Sequence, residues 1–80
     1  MITFVHHHAK RRHFYRVDVG YNLFGEYSVV REWGARGRNG THRIVLFSNL
    51  RDAALAADRW HMNACAKGYE LTERVVAEPT

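Results

Sequence analysis

Apolar and polar side chains alternate in short runs as far as residue 47, fall into helical spacing after it, and alternate once more near the end. The clearest alternation is Phe14 to Val19, with Tyr15, Val17 and Val19 on one face and Arg16 and Asp18 on the other, the period of a half-buried strand. Ile2 to His7 alternates more weakly and suits a short edge strand. Glu26 to Trp33 is the next strand, and Thr41 to Phe47 pairs with it. The end of the latter (Ile44, Val45, Leu46, Phe47) is apolar on both faces, as in a central strand covered on both sides. From about Leu50 to Lys67 the positions Leu50, Ala53, Ala54, Ala57, Trp60, His61, Ala64 and Cys65 make one helical stripe. Asn49, with Asp52 three residues on, is a capping-box start, and Gly68 a C-terminal stop. Tyr69 to Val75 returns as a last strand. The pattern predicts an α+β fold, a mostly antiparallel four- to five-stranded sheet with one long helix packed on one face. Leu50, Ala53, Ala57, Trp60 and Ala64 should face Tyr15, Val17, Val29, Ile44 or Leu46. Residues 1–80 read as a single domain, with 1–12 a basic arm or edge strand and 76–80 a frayed tail.

Two places break the pattern. Leu23 and Phe24 are odd in a solvated Gly20–Gly25 loop, and are expected to fold back as a plug over the core. Arg31 and Trp33 share strand parity with Tyr27 and Val29, so that face should leave the core before Arg31, at a bulge or a sheet edge. Arg31 also opens the run to Gly40 that holds Trp33, the glycines Gly34, Gly37 and Gly40, and the arginines Arg36 and Arg38. Such a run is either an ordinary hairpin connection or a surface where the backbone approaches a ligand closely, Trp33 stacks, and Arg31, Arg36 and Arg38 fork onto phosphate oxygens.

Charge favours a polyanion partner. The chain carries twelve Lys/Arg against eight Asp/Glu, a net +4. Residues 1–43 hold eight basic and three acidic side chains, and residues 44–80 four and five. The basic half includes Lys10, Arg11 and Arg12 behind a His6–His8 run, expected as a solvated arm that gains charge below about pH 6.5 together with His13. His6 and His8 would share a strand face, yet no carboxylate or cysteine lies near them in sequence, so no metal site and no cofactor are expected. The single cysteine excludes an internal disulfide and suits a cytoplasmic address. No apolar run is long enough to span a membrane, and no membrane partner is expected.

Catalysis has no foothold. Nucleophile-elbow, Walker-type and His-Glu-x-x-His motifs are absent, and no catalytic residue is assigned. His61 and Cys65, one turn apart on the inward stripe, read as a buried structural pair, and Trp60 as core.

Trp33-Gly34-Ala35 followed by Gly37 resembles the WGR motif, whose usual form runs Trp-Gly-Arg-Ile-Gly. Phe14-Tyr15, Asn22-Leu23-Phe24-Gly25, Val29-Val30-Arg31, Phe47 and Lys67-Gly68-Tyr69 match further landmarks of that family, in family order, over Arg12 to Leu71. The resemblance is to domains of poly(ADP-ribose) polymerases and of small bacterial stand-alone proteins. In the polymerases such a domain grips DNA near a strand break, with the motif tryptophan against the terminal nucleotide. Carried across, it implies a nucleic-acid-binding module, for DNA in the first place. Trp33 would be the stacker and Gly34 the close-approach position, with Arg31, Arg36, Arg38, Lys10, Arg11 and Arg12 on phosphates. The motif arginine is Ala35 here, so its role is vacant or passes to Arg36 or Arg38. The alternative is a protein-interaction or scaffold module in which Trp33 and the Leu23-Phe24 loop anchor a protein partner.

Overall fold

Every turn of this chain reverses its direction, so each strand lies antiparallel to its neighbours. The computed structural model describes residues 2–76. Within them the order is β1 (Ile2–His8), β2 (His13–Tyr21), β3 (Tyr27–Ala35), β4 (Thr41–Phe47), α1 (Leu50–Ala66) and β5 (Tyr69–Val76). The tail expected over 76–80 lies outside the described residues, except for Val76, which closes β5. The sheet runs β4-β3-β2-β1-β5, and every adjacent pair is antiparallel. The expected fold class is the observed one.

The helix begins and ends where its capping residues put it. Asn49 is extended, and its Oδ1 accepts from the Asp52 backbone N–H at 2.8 Å, satisfying one of the free donors of the first turn. At the other end Gly68 takes φ 95°, and a Cβ there would lie 2.8 Å from His8 Nε2. Glycine is therefore required twice, by the left-handed turn and by contact with β1. The helix lays Ala53 and Ala57 on Val17, Val19 and Val29, all buried, with Ile2, Phe4, Tyr15, Tyr27, Phe47 and Trp60 around them. Small alanines let the helix backbone approach the central strands closely.

Several expectations fail, some for non-local reasons and one through local turn chemistry. β1 is not an edge strand or a solvated arm. The helix crosses from β4 at one edge and delivers β5 to the other, so β1 is paired on both sides and His6 is fully buried. A bulge sits in the β1–β5 pair, where Thr72 has no partner between Val5↔Glu73 and His6↔Leu71. The Thr72 hydroxyl donates to the Val5 carbonyl at 3.2 Å and accepts from His7 Nδ1 at 2.8 Å.

β4, expected as a central strand, is the opposite edge. Ile44 and Leu46 pair with Val30 and Ser28, on the sheet face away from the helix, and are exposed, while Phe47, opposite Tyr27, is the β4 residue that packs on the core under the helix. Leu23 and Phe24 do not plug the core. The Asn22 side chain accepts from the Phe24 and Glu26 backbone N–H groups at 2.9 and 3.0 Å, and this tight turn points both apolar side chains into solvent. The helical stripe is narrower than its sequence pattern. Ala53, Ala57 and Ala64 are buried, while Leu50, Ala54 and Cys65 emerge at its margins. Cys65 is therefore not an inward residue.

Candidate nucleic-acid interface

Trp33 sits near the end of β3, directly opposite Tyr15 on β2. Their rings stack with centroids 6.2 Å apart and planes 19° apart. Two residues earlier on the same face is Arg31. No bulge turns this face away, because the β2–β3 register runs unbroken from His13↔Ala35 to Tyr21↔Tyr27. The face stays under the helix, and an arginine is tolerated there because its flat guanidinium lies on aromatic rings. Its Cζ is 4.1 Å from the Trp60 ring centroid and 5.7 Å from that of Trp33. Trp60 is only half-buried as a result, so it is shared between core and site. Arg31 Nε is buried and has no hydrogen-bond partner within the protein. A buried donor left unpaired is costly, and an acceptor brought by a ligand would relieve it.

Beside these groups a cleft of about 270 Å³ opens between α1 and the sheet. Tyr15, Trp33, Trp60 and Tyr69 form its aromatic walls, and Arg31, Asn63 and Lys67 its polar ones. The aromatic parts suit the face of a base or sugar, and the cations suit an attached phosphate.

The other expected site residues divide between two places. Lys10, Arg11 and Arg12 are exposed in the β1–β2 connection, and Arg36 and Arg38 are exposed in the β3–β4 connection. The two connections touch, since Arg36 N–H donates to the Arg12 carbonyl at 2.8 Å. The α1–β5 turn, with Lys67 and Gly68, joins them through Ala9 N–H to the Gly68 carbonyl at 3.3 Å. Arg36, however, lies against Val5, His7, Phe14, Arg16 and Glu32, on the sheet face that the helix leaves open. The cations beside Trp33 are Arg31 and Lys67, not Arg36. Gly34 also has an internal reason to be glycine. A Cβ there would come within 2.9 Å of Gly40 Cα, and one on Gly40 within 2.6 Å of the Trp33 carbonyl oxygen. Gly37 differs, being a φ 82° turn residue with open space around it.

The histidine run is structural in part. His8 Nδ1 accepts from the Lys10 and Arg11 backbone N–H groups at 3.1 and 3.2 Å and so shapes the basic connection. His6 has its pKa lowered, first by burial and further by the neighbouring His61 and His7, against a raising hydrogen bond to Tyr15. It adds no charge to a solvated arm. Sequence reasoning missed Tyr15, Lys67 and Tyr69 as cleft residues. Lys67-Gly68-Tyr69 was visible as a landmark, but its meeting with Trp33 is tertiary.

The WGR domain family's sequence profile matches residues 1–76 of the chain. The chain belongs to the WGR domain family. WGR domains are in general nucleic-acid-binding, non-catalytic modules. A search of curated proteins returned no match. Among solved structures, a protein from Bacteroides fragilis is similar, with TM-score 0.69 and 27% identity, over 91% of this chain and 20% of that one. This WGR domain therefore spans about a fifth of the length of that protein. No helix of the described residues is long and apolar enough to cross a membrane.

Proposed function

We propose that this WGR domain binds DNA at the end of the sheet where the β1–β2, β3–β4 and α1–β5 connections meet. The observation that carries the proposal is the cleft, an aromatic slot holding Arg31 with an unpartnered Nε, beside connections that contain six Lys/Arg and no acidic residue. In this reading Trp33 and Tyr15 receive one nucleotide, and Arg31 and Lys67 take its phosphate. Lys10, Arg11, Arg12, Arg36 and Arg38 contact the flanking backbone on both sides of the sheet end and position the duplex without reading its sequence. The motif arginine's place, Ala35, stays vacant, and Arg31 is the cation nearest the tryptophan ring.

The test is an NMR titration of the protein with a 5′-phosphorylated gapped duplex. The Trp33 and Trp60 indole N–H signals should shift together with the Arg12, Arg36 and Gly37 amides. Shifts confined to the connections, with both indoles unmoved, would reduce the reading to a basic surface without a stacking site.

A second contact is favoured by a separate observation, the full exposure of Leu23 and near-full exposure of Phe24 on a hydrogen-bonded turn. That turn lies about six strand residues, or roughly 20 Å, from Trp33. The two cannot anchor one small partner, as a protein-interaction module built on both would need. A protein contact at the turn would be additional to the DNA site.

A further inference from the structure

We propose that His6, His61 and Cys65 form a site for a thiophilic divalent cation, Zn²⁺, clamping α1 to β1. His6 comes from β1 and His61 and Cys65 from one turn of α1, and their ligand atoms lie within 4.8 Å of one another. They share no side chain with the aromatic cleft, which they adjoin through Tyr15, whose ring meets that of His6 edge-on with centroids 6.0 Å apart.

The geometry starts at His6. It is fully buried, and its Nδ1–H donates to the Tyr15 carbonyl at 3.1 Å. That bond fixes the tautomer and aims the Nε2 lone pair at the helix, the arrangement by which a backbone carbonyl orients a metal-binding histidine. His61 Nδ1 is 2.6 Å from that Nε2. One helical turn on, Cys65 Sγ stands 3.9 and 4.0 Å from the two ring nitrogens of His61. The Phe4 ring stacks on His61 with centroids 5.6 Å apart and shields that side of the ring. Two imidazoles and a thiolate are the ligands that zinc prefers.

Bond lengths of about 2.0–2.1 Å to nitrogen and about 2.3 Å to sulfur put tetrahedral ligand atoms about 3.3–3.7 Å apart. The two histidine nitrogens must therefore separate by under about 1 Å, and the thiol must swing inward. Both motions fall on the helix side. Cys65 is exposed and free to change rotamer, while His6 stays anchored. The fourth position opens toward solvent beside Cys65 and takes a water.

The protons balance. Without metal, His6 Nε2 accepts a hydrogen bond, so His61 carries its proton on Nδ1. On binding, the His61 proton is carried on Nε2 instead, with no net loss, and the Cys65 thiol gives one proton to solvent as its sulfur bonds the cation.

The test uses the metal-free full chain titrated with Co²⁺ as a spectroscopic stand-in and with Zn²⁺ in competition. The expected result is one ion per chain, tetrahedral visible bands, a thiolate-to-cobalt charge-transfer band in the near ultraviolet, and release of about one proton per ion. Cys65→Ser sits at an exposed position and should fold normally. It should abolish the charge-transfer band and weaken Zn²⁺ by at least about tenfold. His61→Ala should weaken binding similarly, whereas His42→Ala, on the far edge strand, should leave it unchanged. Cys65→Ser with an unaltered spectrum and affinity would overturn the proposal. So would the absence of one-to-one binding at micromolar metal, or loss of binding on His42→Ala.

Discussion

The two ends of the sheet are both made of short connections and present opposite surfaces. At the end bearing Trp33, the connections at Ala9–Arg12, Arg36–Gly40 and Lys67–Gly68 are all basic, the last two contain glycine, and backbone hydrogen bonds tie them to one another. At the other, the Asn22–Glu26 turn is closed on itself. Asn22 accepts from two backbone N–H groups, and its own N–H donates to the Glu26 carbonyl at 2.9 Å. The first end offers cations and a slot. The second offers two bare apolar side chains on a hydrogen-bonded turn. Turn chemistry alone thus separates a surface suited to a polyanion from one suited to a protein.

The comparison is broken most forcefully by removing charge from the basic end. Replacing Lys10, Arg12 and Arg38 together by Gln should flatten the slope of log K against log salt by about 2.7, from an expected value of about −3 to −4.5. The fold should survive, since all three side chains are exposed. DNA-binding curves at several salt concentrations measure this. A slope that does not change would remove the connections from the interface.

Trp33→Ala comes next. It should cost about 1–3 kcal/mol of DNA affinity while leaving the salt slope nearly unchanged, because a stack is lost and no phosphate contact is. The ring is half-buried against Tyr15 and Arg31, so some stability goes too, but less than the about 3–5 kcal/mol of a fully buried aromatic. Thermal melts beside binding curves separate the two losses. A folded variant that binds like the parent would sink the stacking role.

How much of this was legible from the chain follows from what periodicity can report. Strand and helix limits are local, so Asn49, Gly68 and the alternation around Val17 marked them closely. Strand order is not local. Ile2 to His8 and Thr41 to Phe47 exchanged their expected places, the first being interior and the second an edge, because α1 decides which strands it covers. Apolar content misled at β4, where Ile44 and Leu46 face solvent. In the site, Trp33 and the arginines stood out by composition. The cleft did not, since Trp60 reaches it from α1 and Tyr69 from β5. His61 and Cys65 were visible as a pair one turn apart, but their third neighbour, His6, reaches them only through β1.

A smaller effect lies between the two ends and tests whether they share one core. The His6 pKa is lowered in the folded protein from 6.5, so the unfolded chain binds its proton first on acidification. Stability from this group is therefore full above about pH 6.5 and declines below it, until His6 titrates in the fold. Denaturant unfolding with a chelator present should show a falling midpoint from pH 7 to pH 5. Replacing His6 by Gln should reduce that pH dependence even if the variant is less stable throughout. An unchanged pH dependence would show that His6 is not the group responsible.

The smallest expected change is at the apolar turn, and it completes the comparison. Leu23→Ser with Phe24→Ser should alter stability by no more than about 0.5 kcal/mol per substitution, because surface changes away from packed features rarely do more. Leu23 is 101% and Phe24 87% exposed, so neither gives up packing when shortened. The turn's own hydrogen bonds come from Asn22 and the backbone and are untouched. DNA affinity and salt slope should both match the parent, since the turn lies about 20 Å from Trp33. Any function at this end would then show only as loss of a protein contact. If the double variant weakened DNA binding as strongly as Trp33→Ala, the two ends would not be separate surfaces, and the duplex would have to run along the sheet rather than sit at one end of it.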